Sequence, residues 1–210
     1  MTSTVECWRC HSDVTATSVF CESCKAVQPP RAGIDHFQCL GLEATFVQDE
    51  AEIARKHRAL QRTLHPDRFV HKGERERAFS LQHATSLNDA FRILKHPQRR
   101  AEYLVQLRGI DLDDEAKPIR LNPMFLMEVI EFREALDELN GVDSHGERMA
   151  IGRAVQQKYE QTLSQLGTAL DERSGTPEHW AQWAAQLRYL QRILDHVAES
   201  EENMSAGPLG

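Results

Sequence analysis

Four of the five cysteines in this 210-residue chain fall within its first 24 residues, in the stretch "CWRCHSDVTATSVFCESC". Cys7 and Cys10 form one Cys-x-x-Cys pair and Cys21 and Cys24 a second, with ten residues between them. A Cys-x-x-Cys turn sets two thiolates on one side of a tight knuckle. Two facing knuckles close a tetrahedral sulfur site of the kind that holds structural zinc. Trp8, Val19 and Phe20 can cover such a site, but so short a segment has almost no core of its own, and metal is expected to hold it folded. A closed four-thiolate site leaves no open coordination position, which argues against zinc catalysis. Thiolates alone do not select zinc over iron. Two redox-active thiol pairs, or a reduced unfolded tail, are the competing readings. His11 adjoins Cys10 but is read as solvent-exposed, because four cysteines already fill a tetrahedron. Cys39, alone in "DHFQCLGL", reads as a buried apolar position.

Glycine and proline number only 11 and 8 and cluster at a few points. That pattern favours long helices joined by short loops. Apolar residues make up 40% and charged residues 27%, as in a soluble globular protein. The net charge of −7 opposes nucleic-acid binding except through a local patch. No run of about 18 apolar residues exists, so no membrane association is expected. The start "MTSTVECWRC" shows no secretory or transit pattern. The expected setting is therefore a reducing compartment: the bacterial cytoplasm, or the mitochondrial matrix if the source is eukaryotic.

"VQPPRAG", residues 27–33, reads as a stiff linker. From Asp49 to Leu64, Ile53, His57, Leu60 and Leu64 recur at helical steps. The opposite face carries Arg55, Lys56, Arg58 and Arg62. Pro66 disfavours helical geometry at His65, so the helix should stop there, in His65-Pro66-Asp67. A second amphipathic helix runs from about Glu74 to Leu94. The two are expected to pack as an antiparallel hairpin with the tripeptide at its tip. Between Arg55 and Arg77, eight Lys and Arg face three acidic residues, a basic patch in an acidic chain. A solvated helix face is the plain explanation of such a run.

"GIDLDDEAKPIRLNP", residues 109–123, breaks the helical pattern. Asn122 reads as an N-cap with Pro123 at the first helical position. In the helix "PMFLMEVIEFREALDELN", Phe125, Val129, Phe132, Leu136 and Leu139 form an ordinary core stripe. With Leu126 at zero, Ile130 lies near 40°, Glu134 near 80°, Met127 near 100°, Glu138 near 120° and Glu131 near 140°, at about 100° per residue. A small apolar patch is thus bordered by three carboxylates away from the core stripe. Pattern alone leaves two readings open: a helix buried on two sides, or a partner-binding surface with an acidic rim. Gly141 to Gly146 reads as a turn. A long helix of about 147–172 follows, and a last helix opens with Thr176 as N-cap and Pro177, running to about Ser200. Residues 201–210 read as a disordered tail.

A basic helix ending in His-Pro-Asp, a polar loop, and a second helix carrying "LNDAFRILKHPQRRAEYL" resemble the J domain of the DnaJ co-chaperone family. Adding "AEYLVQLRGIDL", "FLMEVIEFREALDE" and "LRYLQRIL", residues 34–197 resemble the HscB family, called Jac in fungi, which serves iron–sulfur cluster assembly. The four-cysteine front resembles that of animal HscB. The resemblance implies an all-α fold: a J-domain helical hairpin over 34–108 and a three-helix bundle over 122–200, with a zinc knuckle or ribbon over 1–28. Residues 29–33 and 109–121 would be linkers. It implies that His65, Pro66 and Asp67, with Arg55, Lys56, Arg58 and Arg62, dock on an HscA- or DnaK-type chaperone and speed its ATP hydrolysis. It also implies that Leu126, Met127, Ile130, Glu131, Glu134, Glu138 and Tyr189 bind an IscU-type scaffold protein. Ile130 stands where the family commonly has leucine, and Tyr189 where it commonly has phenylalanine. No enzyme chemistry is expected: the tip lacks a nucleophile–base pair and the chain lacks a phosphate-cradling glycine run. The cofactor expected is structural zinc at Cys7, Cys10, Cys21 and Cys24. Bracing the front of the protein, forming a homodimer and tuning partner choice all stay open as roles for the zinc module. The alternatives are a J-domain co-chaperone for another client, a thiol–disulfide reductase, and a zinc-ribbon nucleic-acid adaptor. The last is disfavoured by net charge and by a basic patch without interleaved aromatics.

Overall fold

The computed structural model describes residues 4–139 and 145–205, with side chains through residue 200. Among the described residues are two short strands, β1 (Thr4–Glu6) and β2 (Asp13–Thr15), and seven α-helices. These are α1 (His36–Leu40), α2 (Glu50–Leu64), α3 (Glu74–Leu94), α4 (Pro97–Leu107), α5 (Pro123–Glu138), α6 (His145–Asp171) and α7 (Pro177–Ser205). The chain divides into two compact units. One holds the strands and α1–α3; the other holds α4–α7 and the segment Thr45–Val47.

In the first unit β1 and β2 pair antiparallel, with Val5 opposite Val14. Helix α2 begins where expected, because the Asp49 carboxylate accepts the Ala51 amide at 2.9 Å. It stops at His65, whose ψ of 130° is extended, as the following proline requires. A continuing helix would have given the Leu64 carbonyl an amide four residues on. The Ser80 hydroxyl of α3 donates to it instead, at 2.7 Å. Ile53 and Leu64 of α2 are buried with Leu87, Ala90 and Leu94 of α3 and with Phe37 and Leu40 of α1. His57, one of the periodic positions, stacks on Phe91 at 4.2 Å, and its Nε2 meets the Asn88 side-chain oxygen at 3.1 Å. It is a satisfied core histidine.

The second helix of the hairpin does not run on through Pro97. It ends at Leu94, and α4 starts afresh at Pro97, a residue favoured at a first helical position. In the second unit Asn122 caps α5 by accepting the Met124 amide at 2.9 Å. Thr176 accepts the His179 amide at 3.3 Å at the start of α7. Phe125, Val129, Leu136, Val155, Leu190, Ile193 and Val197 from α5, α6 and α7 form one buried cluster. Helix α4 packs on α6 and α7, and Arg188 of α7 reaches Glu102 at 3.1 Å and Asp113 at 2.6 Å.

Thr45–Val47 is anchored here by residues far away in sequence. The Phe46 and Val47 amides donate to Asp171 at 2.5 and 3.0 Å, and Arg100 Nε donates to the Phe46 carbonyl at 2.8 Å. A Cβ on Gly167 would stand 2.1 Å from the Phe46 ring, so this contact needs glycine. The turn expected at 141–146 falls largely on residues outside the described set, and α6 opens at His145, two residues earlier than anticipated. Helix α7 extends through Ser205, five residues into the expected tail. Residues 206–210 lie outside the described residues.

Candidate functional sites

The four thiols expected to bind metal converge. The sulfurs of Cys7, Cys10, Cys21 and Cys24 all lie within 4.8 Å of one another, with Cys7–Cys24 at 3.7 Å and Cys10–Cys21 at 3.6 Å. A tetrahedral centre with metal–sulfur bonds of about 2.3 Å has sulfur–sulfur edges of about 3.8 Å, so the set is already close to metal-binding size. The two knuckles are copies of one turn. The first cysteine of each accepts an amide four residues on (His11 to Cys7 at 3.0 Å, Lys25 to Cys21 at 2.9 Å). It also donates to a carbonyl five residues on (Ser12 at 2.9 Å, Ala26 at 3.0 Å). His11 and Lys25 both take left-handed backbone, with φ of 62° and 58°. Non-glycine residues rarely do so unless the surroundings demand it.

His11 points away from the sulfurs and pairs with Glu6 on the surface. Burial pushes the Cys7 thiol up, but hydrogen bonds from Cys10, Arg9 and Gln28 outweigh it and draw it down to about 6. Cys24 behaves oppositely. The Ala26 amide favours its thiolate, but burial and the neighbouring sulfurs win and push it up to about 12. Four sulfurs this close cannot all ionise cheaply unless a cation joins them, so the donor set suits a dication. Cys39 lies apart, half-buried, its thiol raised by burial.

The tripeptide forms a rigid exposed tip. His65 Nδ1 accepts the Asp67 amide at 3.3 Å, and the Arg68 amide donates to the His65 carbonyl at 3.0 Å. These bonds close a short 3-10 turn over Pro66–Phe69, and buried Phe69 roots it. The imidazole therefore serves the local backbone, while the Asp67 side chain is 85% exposed. Of the four basic residues expected beside it on α2, Arg55, Arg58 and Arg62 are exposed. Arg55 pairs with Glu52 at 3.4 Å, and Lys56 is only half-exposed. Its ammonium folds back to hydrogen-bond the Gly41 carbonyl and lies 3.5 Å from Glu52.

On α5 the two apolar stripes separate cleanly. Phe125, Val129 and Leu136 are buried, whereas Leu126, Met127 and Ile130 are 37%, 62% and 53% exposed. The helix is therefore not buried on two sides. Glu131, Glu134 and Glu138 lie exposed beside the apolar trio. Met124, 76% exposed, belongs to the same face and was missed by pattern reading. At about 160° on the scale used above, it sits just beyond Glu131. Tyr189 of α7 is half-buried against the core cluster, edge-on to Phe125 at 6.5 Å, with the Arg192 guanidinium 5.8 Å from its ring centre. An open groove of about 510 Å³ runs between α5 and α6, lined among others by Met124, Met127, Glu131 and Lys158. Among the described residues no helix is long and apolar enough to cross a membrane.

A helical hairpin with an exposed His-Pro-Asp tip, followed by a separate helical unit, defines a J-domain protein. Residues 35–103 match the DnaJ domain family, and residues 121–198 match the HSCB C-terminal oligomerisation domain. The chain is 33% identical over 169 residues to the co-chaperone protein HscB homolog of Burkholderia multivorans, covering 80% of this chain and 95% of that protein. It is 35% identical, with the same coverage, to the HscB homolog of Vibrio vulnificus strain YJ016. The chain belongs to the HscB family of J-domain co-chaperones. Human HscB superposes with a TM-score of 0.82 at 26% identity, over 94% of this chain and 98% of that one. That is more of the chain than lies after residue 33, so the likeness reaches into the four-cysteine module. HscB of Vibrio cholerae superposes with a TM-score of 0.70 at 31% identity, over 81% of this chain and 99% of that one. Yeast Jac1, at 19% identity and a TM-score of 0.61 over 81% of this chain and 95% of that one, shares the fold.

Proposed function

We propose that this chain brings an IscU-type iron–sulfur scaffold protein to an HscA- or DnaK-type chaperone and stimulates that chaperone's ATPase, aiding transfer of the cluster. It is an activator and performs no covalent chemistry itself. The observation that carries this reading is the pairing, in one chain, of an exposed carboxylate on a rigid tip with an exposed apolar face on another unit. Asp67 is presented for a charge-assisted bond to a basic group of the chaperone, and Arg55, Arg58 and Arg62 steer the tip toward an acidic surface. Leu126, Met127 and Ile130 supply apolar anchors for the scaffold, Tyr189 adds an aromatic edge, and Glu131, Glu134 and Glu138 fix orientation through the rim. Zinc is the metal that best suits a closed set of four thiolates, and its role in this reading is structural.

The test is chaperone ATPase stimulation by wild type and by Asp67→Asn. The reading expects the variant to fold normally and to lose stimulation. Equal stimulation by both proteins removes the trigger role.

A further inference from the structure

Helix α3 follows the exposed tip after a short loop, and no side chain caps its start. Its N-cap is Gly73, which makes no side-chain cap hydrogen bond, whereas α2 and α5 are capped by Asp49 and Asn122. A helix begun on glycine lacks a side-chain acceptor for its first amides. Beside the acidic first turn of Glu74 and Glu76, tertiary contacts contribute to the order of the first half of α3. Leu64 of α2 supplies one, through the Ser80 hydroxyl.

The four-cysteine module supplies further contacts. The Trp8 ring stands edge-on to Phe79 at 5.8 Å, and the Arg75 guanidinium lies 5.8 Å from the Trp8 ring centre. Arg9 reaches Glu76, a carboxylate only 7% exposed, at 3.6 Å. His83 Nε2 donates to the Gln28 backbone carbonyl at 2.9 Å. These module residues are themselves tied to the sulfur site. Trp8 lies between the ligands Cys7 and Cys10, and its indole N–H donates to the Val27 carbonyl at 2.7 Å. The Gln28 side-chain amide donates to Cys7 Sγ at 3.4 Å and to the Ala26 carbonyl at 2.9 Å. Each of these module contacts with α3 thus comes from a residue positioned by the knuckles, and the knuckles have no core large enough to stand without metal.

We propose that the four-thiolate module is a metal-dependent brace on the first half of α3. Metal loading and the order of residues 74–85, the segment that closes the trigger loop, then form one linked equilibrium. Linkage is reciprocal: if metal orders this segment, contacts made by this segment must tighten metal binding by the same factor. A chain stripped of metal keeps its scaffold-facing unit but holds the trigger loop less firmly. The inference rests on the four-thiolate reading.

The experiment uses the full-length chain, loaded with one zinc or stripped by chelation with the loss of metal verified. Hydrogen exchange is followed in residues 74–85, with 187–197 of α7 as internal reference. Stripping should reduce protection of 74–85 by about tenfold or more and leave α7 unchanged. The second arm is the variant Arg75→Ser/His83→Gln, altered in α3 residues that touch no sulfur. Its zinc affinity, measured by competition with a chromophoric chelator, should fall by about fivefold or more, the low end for coupled sites. Unchanged exchange in 74–85 after verified stripping overturns the brace, as does unchanged zinc affinity in the variant or an equal loss of protection in α7. A chain that takes up no zinc overturns the four-thiolate reading along with the brace. Uptake of one zinc without an effect on exchange overturns the brace alone.

Discussion

Replacing Leu126, Met127 and Ile130 together by alanine separates a binding face from a core. These side chains are 37%, 62% and 53% exposed in the free protein. Burying such a side chain fully contributes about 2 kcal/mol, so the exposed fractions leave roughly 3 kcal/mol to be gained in a complex. That corresponds to about a hundredfold in Kd, less whatever the alanine methyl groups retain. The same substitution should barely touch folding. Alanine is the best helix former, and exposed positions usually change stability by no more than about 0.5 kcal/mol each. Leu136, on the other stripe of the same helix, is 0% exposed, and Leu136→Ala should cost about 2–5 kcal/mol of stability. The assay is titration calorimetry against an IscU-type scaffold protein, beside thermal unfolding of each variant. The expected pattern is weak binding with normal unfolding for the triple variant. A triple variant that unfolds as early as Leu136→Ala, or binds within about twofold of wild type, refutes the argument.

Gly167→Ala should destabilise the second unit by about 1–3 kcal/mol, because the added Cβ would lie 2.1 Å from the Phe46 ring and must displace it from Arg100; an unchanged melting temperature contradicts this. His36 titrates below its ordinary range, because burial disfavours the imidazolium more than Asp89 and Asp35 favour it. The unfolded chain therefore binds the proton more readily, and this group's contribution to stability is full above about 6.5 and declines as pH falls through the folded-state value. Unfolding measured at pH 7.5 and 5.5 should show a smaller acid loss for His36→Gln than for wild type; equal losses refute the assignment.

The features legible in the sequence are those with local causes. Asn122 and Thr176 announce helix starts because a cap bonds an amide two or three residues away. Pro66 announces a stop because its ring restricts the residue before it. The second stripe on α5 is legible because helical geometry sorts its residues by angle, and the same arithmetic reaches Met124, but the stripe's exposure comes only from the structure. The convergence of the four sulfurs followed from spacing. What escaped rests on partners distant along the chain. Nothing near Trp8 in sequence announces that it meets Phe79, and nothing near Phe46 announces Gly167 and Asp171. Lys56 reads as one more cation on a basic face until the Gly41 carbonyl comes within its reach. Three-residue strands are too short for an alternating pattern to register.

Coupling of a scaffold protein to a chaperone by one chain should show in the chaperone's ATPase rate. The most direct measurement is the steady-state ATPase rate of an HscA- or DnaK-type chaperone with this chain alone, with an IscU-type scaffold alone, and with both. The account predicts that both together stimulate more than the sum of the separate effects, and that the excess disappears with Asp67→Asn and with the triple alanine variant. A rate with both proteins equal to the sum of the separate effects contradicts it.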